Sequence, residues 1–184
     1  MGLALREERI SVANYLAGEE KAEERHVFAD GAVYAMAGAT EQHEIISGNL
    51  FATILAHLRG KGCRVFKGDM KIRLKIQTND LFYYPDIMVV CDPTDDNPLF
   101  KQRPKVIVEV MSDFKSDHVE KVYAYGHIES LEEYVVIHQE PSEARAWIYR
   151  RSAGWEVSDA VTDGQLRIDS LDFTTPLRDL YHMA

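Results

Sequence analysis

This chain of 184 residues has little that would staple it or hold it in a membrane. It has only two cysteines, Cys63 and Cys91, without the paired spacing of a zinc site. Both read as small core residues, and nothing about them calls for an oxidising compartment. No stretch approaches the roughly 20 apolar residues that a transmembrane helix needs. Residues 1–16 carry charges inside any apolar run and lack a signal-peptide core, and Arg6 stands where a myristoylation signal wants Ser or Thr. The expected location is the cytoplasm, with no membrane partner. Positive charge is also short: 21 Lys and Arg against 30 Asp and Glu leave a formal charge of −9. That balance repels nucleic acid at long range and argues against a non-specific DNA coat, so any nucleic-acid site must be local.

What is present suits one soluble globular unit over residues 1–184. The 46% apolar and 28% charged content is that of an ordinary folded domain, and a domain of this length buries roughly 70% of its unfolded surface without metal or disulfide staples.

Ser11 precedes a run with Val12, Tyr15 and Leu16 at helical spacing, which predicts a short helix ending near Arg25. Asp30-Gly31 between two β-rich runs predicts a hairpin. Over residues 41–58 the positions Ile45, Ile46, Leu50, Ile54, Leu55 and Leu58 keep a three-and-four spacing. They predict the longest helix, capped by Thr40 and stopped by Gly60 to Gly62. The period then falls to 2. CRVFKG, MKIRLKIQ and FYYPDIMVVCD read as three strands, the third buried on both faces. Residues 92–98 read as a surface loop, and KVIVEVM as another buried strand. SDHVEKVYAYGHI reads as a helix capped by Ser116, and EYVVIH and RAWIYRR as strands flanking a turn. GWEVSDAV continues that pattern as an edge or hairpin. Strands mixed with helices, without repeats or linkers, predict an α/β or α+β domain on a mixed sheet.

Two carboxylates lie inside apolar strands: Asp86 after Pro85, and Glu109 in VIVEVM. A buried ionised carboxylate must be paired, protonated or used to hold a cation. Each alone would more often meet an Arg or a solvated face. Two at one sheet end could converge on a divalent ion such as Mg²⁺, which favours one or two carboxylates plus water and phosphate oxygens. In the following helix Asp117 and Lys121 stand at i and i+4, with Tyr125 one turn on. They read either as an exposed ion pair or as a lysine sent toward the metal, and the residues alone leave both open.

Asp86 in a Pro-Asp strand, a loop, and Glu109 in a second strand together resemble the core of the PD-(D/E)XK nuclease superfamily. DGAVYAMAGATEQH, GCRVFKGDMKIRL, FYYPDIMVVCD, VIVEVMS, DHVEKVYAY and SLEEYVVI, in this order over about four fifths of the chain, resemble the Uma2-type family of restriction-endonuclease-like proteins. The resemblance implies a restriction-endonuclease-like fold, a mixed central β-sheet flanked by helices with an N-terminal hairpin. It also implies Mg²⁺ or Mn²⁺ on Asp86 and Glu109, completed by the Val110 carbonyl, and phosphodiester hydrolysis in a nucleic acid, DNA first. Where the superfamily has Glu-X-Lys, this chain has Glu109-Val110-Met111. Lys121 is the natural replacement lysine and Lys71 the second choice. Val27 stands where the family tends to place Glu, with Glu24 nearby. Symmetric cutting of a duplex would take a homodimer. The displaced lysine, Val27 and the negative charge equally suit a non-catalytic module that keeps the nuclease fold for binding or assembly.

Weaker candidates surround these. His43 at the start of the long helix reads as a capping or core group, with contact to metal, phosphate or an N-terminal carboxylate as its alternative. Arg64, Lys67, Lys71, Arg73 and Lys75 form the one dense basic run, either a solvated sheet face or a bed for a phosphate backbone. Tyr83, Tyr84, Tyr123 and Tyr125 read as core packing before base stacking. Trp147 and Trp155 are assigned to the core of the C-terminal hairpin.

Overall fold

The computed structural model describes residues 9–112, 116–157 and 160–182, and side chains outside 116–118. Ser11 caps α1 (Val12–Glu19) by accepting a hydrogen bond from the Asn14 N–H. The helix ends at Glu19, well short of Arg25. Gly18 weakens it there, and a tightened bond from the Lys21 N–H to the Gly18 carbonyl closes it. The hairpin β1 (His26–Ala29) and β2 (Ala32–Ala35) turns at Asp30 and Gly31. Both have positive φ, 47° and 89°, as the mirror-image turn of a tight hairpin demands. Helix α2 (Glu41–Leu58) starts at the Thr40 cap and stops before Gly60, as its spacing predicts.

Strands β3 (Arg64–Lys67), β4 (Lys71–Ile76), β5 (Asn79–Tyr83), β6 (Ile87–Val90), the short β7 (Phe100–Lys101) and β8 (Val106–Met111) follow. Then come α3 (Ser116–Gly126), β9 (Glu133–His138), β10 (Ala146–Arg150) and a final hairpin of β11 (Gln165–Ile168) and β12 (Phe173–Pro176). The Ser116 cap and the Asp117 partner of Lys121 lie outside the described side chains. Among the described residues no helix is long and apolar enough to cross a membrane.

The central sheet has the order β10-β9-β8-β6-β3. It is mixed, since β8 and β9 run parallel while its other pairs are antiparallel. On one face α2 inserts Ile46, Leu50, Ile54 and Leu58 against Ile87, Val89, Val106, Val108 and Val110, with Leu166 and Phe173 of the last hairpin. Each such side chain, fully buried, contributes about 1.5–3 kcal/mol. On the other face α3 and a second sheet, β2-β1-β5-β4-β7, pack through Tyr125, Ile128, Ile72, Leu74 and Tyr83 onto Met88, Ile107, Tyr134 and Val136. Helix α1 covers the far side of that second sheet with Tyr15 against Phe28, Phe82 and Phe100.

The run FYYPDIMVVCD is two strands rather than one. Its first half ends β5 in the second sheet and its second half is β6 in the central sheet. Pro85 between them has no N–H to give to a ladder, so pairing breaks there and the chain changes sheet. Asp86 therefore stands at the junction, ahead of β6 rather than inside a strand. Among the described residues Val157 and Val161 meet β10 through the single bridges Tyr149↔Val157 and Ala146↔Val161, and residues 158 and 159 between them lie outside the described residues. Trp147 and Trp155 pack against the core on the α3 side of the central sheet, and Trp147 lies in the β9–β10 hairpin opposite Val136, as its place in the sequence predicts.

The two cysteines are not separate core residues. Cys63 and Cys91 are joined by a disulfide across the ends of β3 and β6, with Cα atoms 4.1 Å apart. The antiparallel register Arg64↔Val90 continues to this pair and brings them together. A bond spanning 28 residues stabilises the fold by about 3–4 kcal/mol in the chain-entropy picture. The double variant Cys63→Ser, Cys91→Ser should melt on the order of 10 °C lower than the oxidised protein. Reductant should lower the wild-type midpoint by the same amount and leave the variant unchanged in a thermal melt followed by circular dichroism.

Candidate active site

Register brings the two carboxylates together. Ile87 of β6 lies opposite Val108 of β8, so Asp86, one place earlier, falls beside Glu109, one place later. Ile87 and Val108 face α2, so alternation turns Asp86 and Glu109 toward the α3 face shared by Met88 and Ile107. Beyond Ile87 the Asp86 side chain takes over from the strand: its Oδ2 accepts a 2.7 Å hydrogen bond from the Val110 N–H. Sequence periodicity alone carries neither fact, since both depend on which strands pair.

Glu109 is only 4% exposed. Its Oε1 lies 3.0 Å from Lys121 Nζ and accepts a 2.9 Å hydrogen bond from the Tyr125 hydroxyl, both one turn apart on α3. Burial pushes the Glu109 carboxyl up and the neighbouring Asp86 charge pushes it further, while Lys121 and Tyr125 pull it back; the net direction is up. The Tyr125 phenol is raised well above its ordinary value, by burial first and then by the Glu109 charge, so it stays a donor.

Helix α2 supplies the partner of Asp86. Thr40 caps it by accepting from the His43 N–H, which fixes His43 in the first turn. From there its Nε2 reaches Asp86 Oδ2 at 3.0 Å. This hydrogen bond raises the imidazole pKa against the opposing effect of burial, and the Asp86 and Glu44 charges add to the rise. Among the described residues the buried Nδ1 has no hydrogen-bond partner, and Glu44 stands 3.6 Å from it. Glu44 is itself paired with Lys67 at 2.7 Å, and that lysine first holds its carboxyl below the ordinary range. His43 is thus no simple capping group; it is the partner of Asp86.

These groups line an open cleft of about 440 Å³ that also takes in Tyr84, Met111, Gln139 and residues 36–40. Asp86, Glu109, Val110, Lys121 and His43 all meet there. Lys71 does not join the carboxylates. Its ammonium lies 5.1 Å over the Tyr84 ring, and burial lowers its pKa. Val27 packs into the core beside β4, and Glu24 is exposed.

The basic run does not form one face. Arg64 donates to the Asp92 and Asp95 carbonyls, Lys67 pairs with Glu44 and Arg73 pairs with Asp80, because β3 and β4 belong to different sheets. Tyr83 and Tyr125 are buried and meet edge to face, while Tyr123 is exposed.

One group beside the cleft escapes sequence reasoning. Glu19 ends α1 only 5% exposed. Its carboxylate accepts from the Tyr84 hydroxyl at 2.5 Å and the His26 N–H at 3.3 Å, and lies 2.8 Å from His26 Nδ1. Burial alone would raise its pKa; these hydrogen bonds outweigh that and hold it below the ordinary range. In the sequence Glu19 lies in the charged run EEKAEE and looks solvated.

Among the described residues no three His, Cys, Asp or Glu side chains gather into a metal site, so no metal site is shown. The donor chemistry nonetheless fits a hard cation that takes one or two carboxylates and completes its shell with water and phosphate oxygens. Asp86 and Glu109 provide those carboxylates at one edge of the cleft.

Comparison with known proteins points the same way. The family model described as "Uma2: Putative restriction endonuclease" matches residues 12–177. The "Uncharacterized protein slr1290" of Synechocystis sp. (strain ATCC 27184 / PCC 6803 / Kazusa) is 28% identical over 176 residues, 94% of this chain and 92% of that one. From the same organism, "Uncharacterized protein sll1609" is 31% identical over 135 residues, 71% of this chain and 75% of its own length. Among solved structures, a "putative nuclease belonging to DUF820" from Anabaena variabilis ATCC 29413 superposes with a TM-score of 0.68 at 17% identity. It covers 90% of this chain and 96% of that one, a likeness of fold.

The His43–Asp86 contact gives a signed pH dependence. A folded-state pKa above the unfolded value of about 6.5 means the contact stabilises the fold fully below that value. That contribution is lost as pH rises through the elevated folded value. An NMR titration of the His43 ring should give a midpoint above about 6.5 in the wild type, falling in Asp86→Asn, whose neutral amide removes the main cause of the rise.

Proposed function

This chain belongs to the Uma2 family, and on that premise we propose that its cleft hydrolyses phosphodiester bonds of a nucleic acid, DNA first, as a metal-dependent endonuclease. The single observation that carries the reading is the meeting of Asp86 and Glu109 across β6 and β8 with Lys121 on Glu109 at 3.0 Å. A Mg²⁺ or Mn²⁺ ion held by the two carboxylates and the Val110 carbonyl would polarise the scissile phosphate and lower the pKa of a water.

The chain's own groups do the remaining work. Lys121 comes from α3 and meets the same carboxylate that a lysine two residues after Glu109 would approach from the strand. This is how Met111 can stand in that strand position. Its ammonium can orient the attacking water and offset the charge that grows on the phosphate oxygens. Tyr125 and Lys121 together hold one Glu109 oxygen and so fix the side chain's rotamer. His43 and the Val110 N–H do the same for Asp86. Lys67 pairs with Glu44 of the cleft wall and offsets its charge.

A second reading has an observation in its favour. Both carboxylates already have protein cations, and no three-ligand cluster is formed among the described residues. This suits a module that retains the fold and binds without cutting.

Plasmid nicking and oligonucleotide cleavage with added Mg²⁺ or Mn²⁺ separate the two. Under the nuclease reading Asp86→Ala abolishes metal-dependent cleavage, and Lys121→Ala lowers the rate per folded molecule by about 10²–10³, with a lower melting midpoint because Glu109 is left buried without its ammonium. Calorimetric titration of the wild type with Mn²⁺ should show binding that Asp86→Ala loses. A wild type that takes up neither ion and leaves every substrate intact is the outcome of the binding-module reading.

A further inference from the structure

We propose that β2 is a self-pairing edge, through which two copies of this chain associate antiparallel about a two-fold axis. In the second sheet β2 is the outermost strand next to β1. From residue 32 to residue 39 the chain reads AVYAMAGA, without a charge or a proline. All positions from 34 to 40 are exposed, Tyr34 at 59% and Met36 at 38%. Native sheets guard such edges with charge, proline, shortness or a covering segment, since an open strand invites pairing with another chain.

The remaining sheet edges are guarded in those ways. β7 is two residues long and includes Lys101. β3 begins with Arg64, ends with Lys67 and is bonded to β6 through Cys63. β10 is bridged by Val157 and Val161. Among the described residues β2 alone carries none of these devices.

Charge identifies the occupant as a second copy. A chain with a formal charge of −9 repels itself over most approaches. In a two-fold contact every charged residue near the axis meets its own like charge. The uncharged 32–39 edge is where self-association meets least repulsion. Tyr34 and Met36, two residues apart, share one strand face, and that face continues into the cleft, which Met36 and residues 37–40 line. Pairing at β2 therefore sets two clefts along one joint edge, as cutting both strands of a duplex would require. The competing occupant is the segment ahead of Arg9, because Ile10 donates its N–H to the Gly31 carbonyl just before β2.

The pairing needs only the fold, and its test contains no substrate, so it can fail without the nuclease reading failing. Sedimentation equilibrium of the full chain should give a dimer. Tyr34→Glu with Met36→Glu should weaken its dissociation constant by about a hundredfold or more through facing like charges. Val119→Glu with Tyr123→Glu, on the exposed side of α3, should leave it unchanged, as should removal of residues 1–8. Hydrogen exchange on the wild type needs no variant: amide protection over residues 32–36 should rise with protein concentration. A wild type monomeric at about 100 µM, protection independent of concentration, or dissociation by the α3 pair would overturn the proposal. So would an edge variant that folds and dimerises as tightly, or a dimer that forms only once residues 1–8 are gone.

Discussion

Two carboxylates fixed side by side at the end of a sheet repel each other, and in a dry interior that repulsion must be met by nearby cations. Much of the packing around the central sheet answers this requirement. Glu109 sits in the middle strand, almost fully buried, and burial alone would drive it neutral. It is met by Lys121 and Tyr125, which reach it only because α3 lies across that face. Asp86 is met by His43, which reaches it only because Thr40 starts α2 where it does. The two helices approach from opposite faces of the sheet, and each delivers one positive group to the same pair. Helix docking and charge neutralisation are therefore one event. Loosening α3 would leave Glu109 buried without its ammonium, a state far less favourable than loss of an exposed pair.

The junction at Pro85 makes this geometry possible. Were residues 82–92 one continuous strand, Asp86 would be held by ladder bonds on both sides, its carboxylate one of a regular row. The break lets β5 leave for the second sheet and frees Asp86 to turn its side chain onto the Val110 N–H. It also draws Tyr84 to the cleft wall, where its hydroxyl binds Glu19 from α1. Three layers of the fold thus meet at three successive residues, Tyr84, Pro85 and Asp86. A proline inside an apolar run marks the place where a second sheet joins the first.

The local devices of the chain could be read from its sequence. The Thr40 cap, the Asp30-Gly31 turn and the spacing of Ile46, Leu50, Ile54 and Leu58 each act within a few residues, and the structure keeps all of them. The two carboxylates stand out as charges inside apolar runs, and the resemblance adds their role and makes Lys121 the displaced lysine. What could not be read were features set by pairing between distant segments. The division at Pro85, the Cys63–Cys91 bond and the dispersal of the basic run all follow from which strand lies beside which. Helical spacing placed Glu19 one turn beyond Tyr15, yet its charged neighbours hid the fact that it is buried. For His43 a helix start gives its position, not the residue it meets across the sheet.

The overall charge of −9 opposes the polyanionic substrate of the proposed function at long range, but the distances involved decide the matter. At physiological ionic strength fields are screened over about 8 Å, so surface acids farther than this from the cleft hardly act on a phosphate inside it. Around the two carboxylates the charges pair off. Lys121 and Lys67 stand against Glu109 and Glu44, and His43, its pKa raised, carries part of a charge against Asp86. Under the proposed function such a cleft would give little long-range attraction to a polyanion, and encounter would be correspondingly slow and weakly dependent on salt. Binding must then rest on short contacts made after arrival. A site of this kind favours the substrate that satisfies its fixed donors and acceptors over one that merely carries more negative charge.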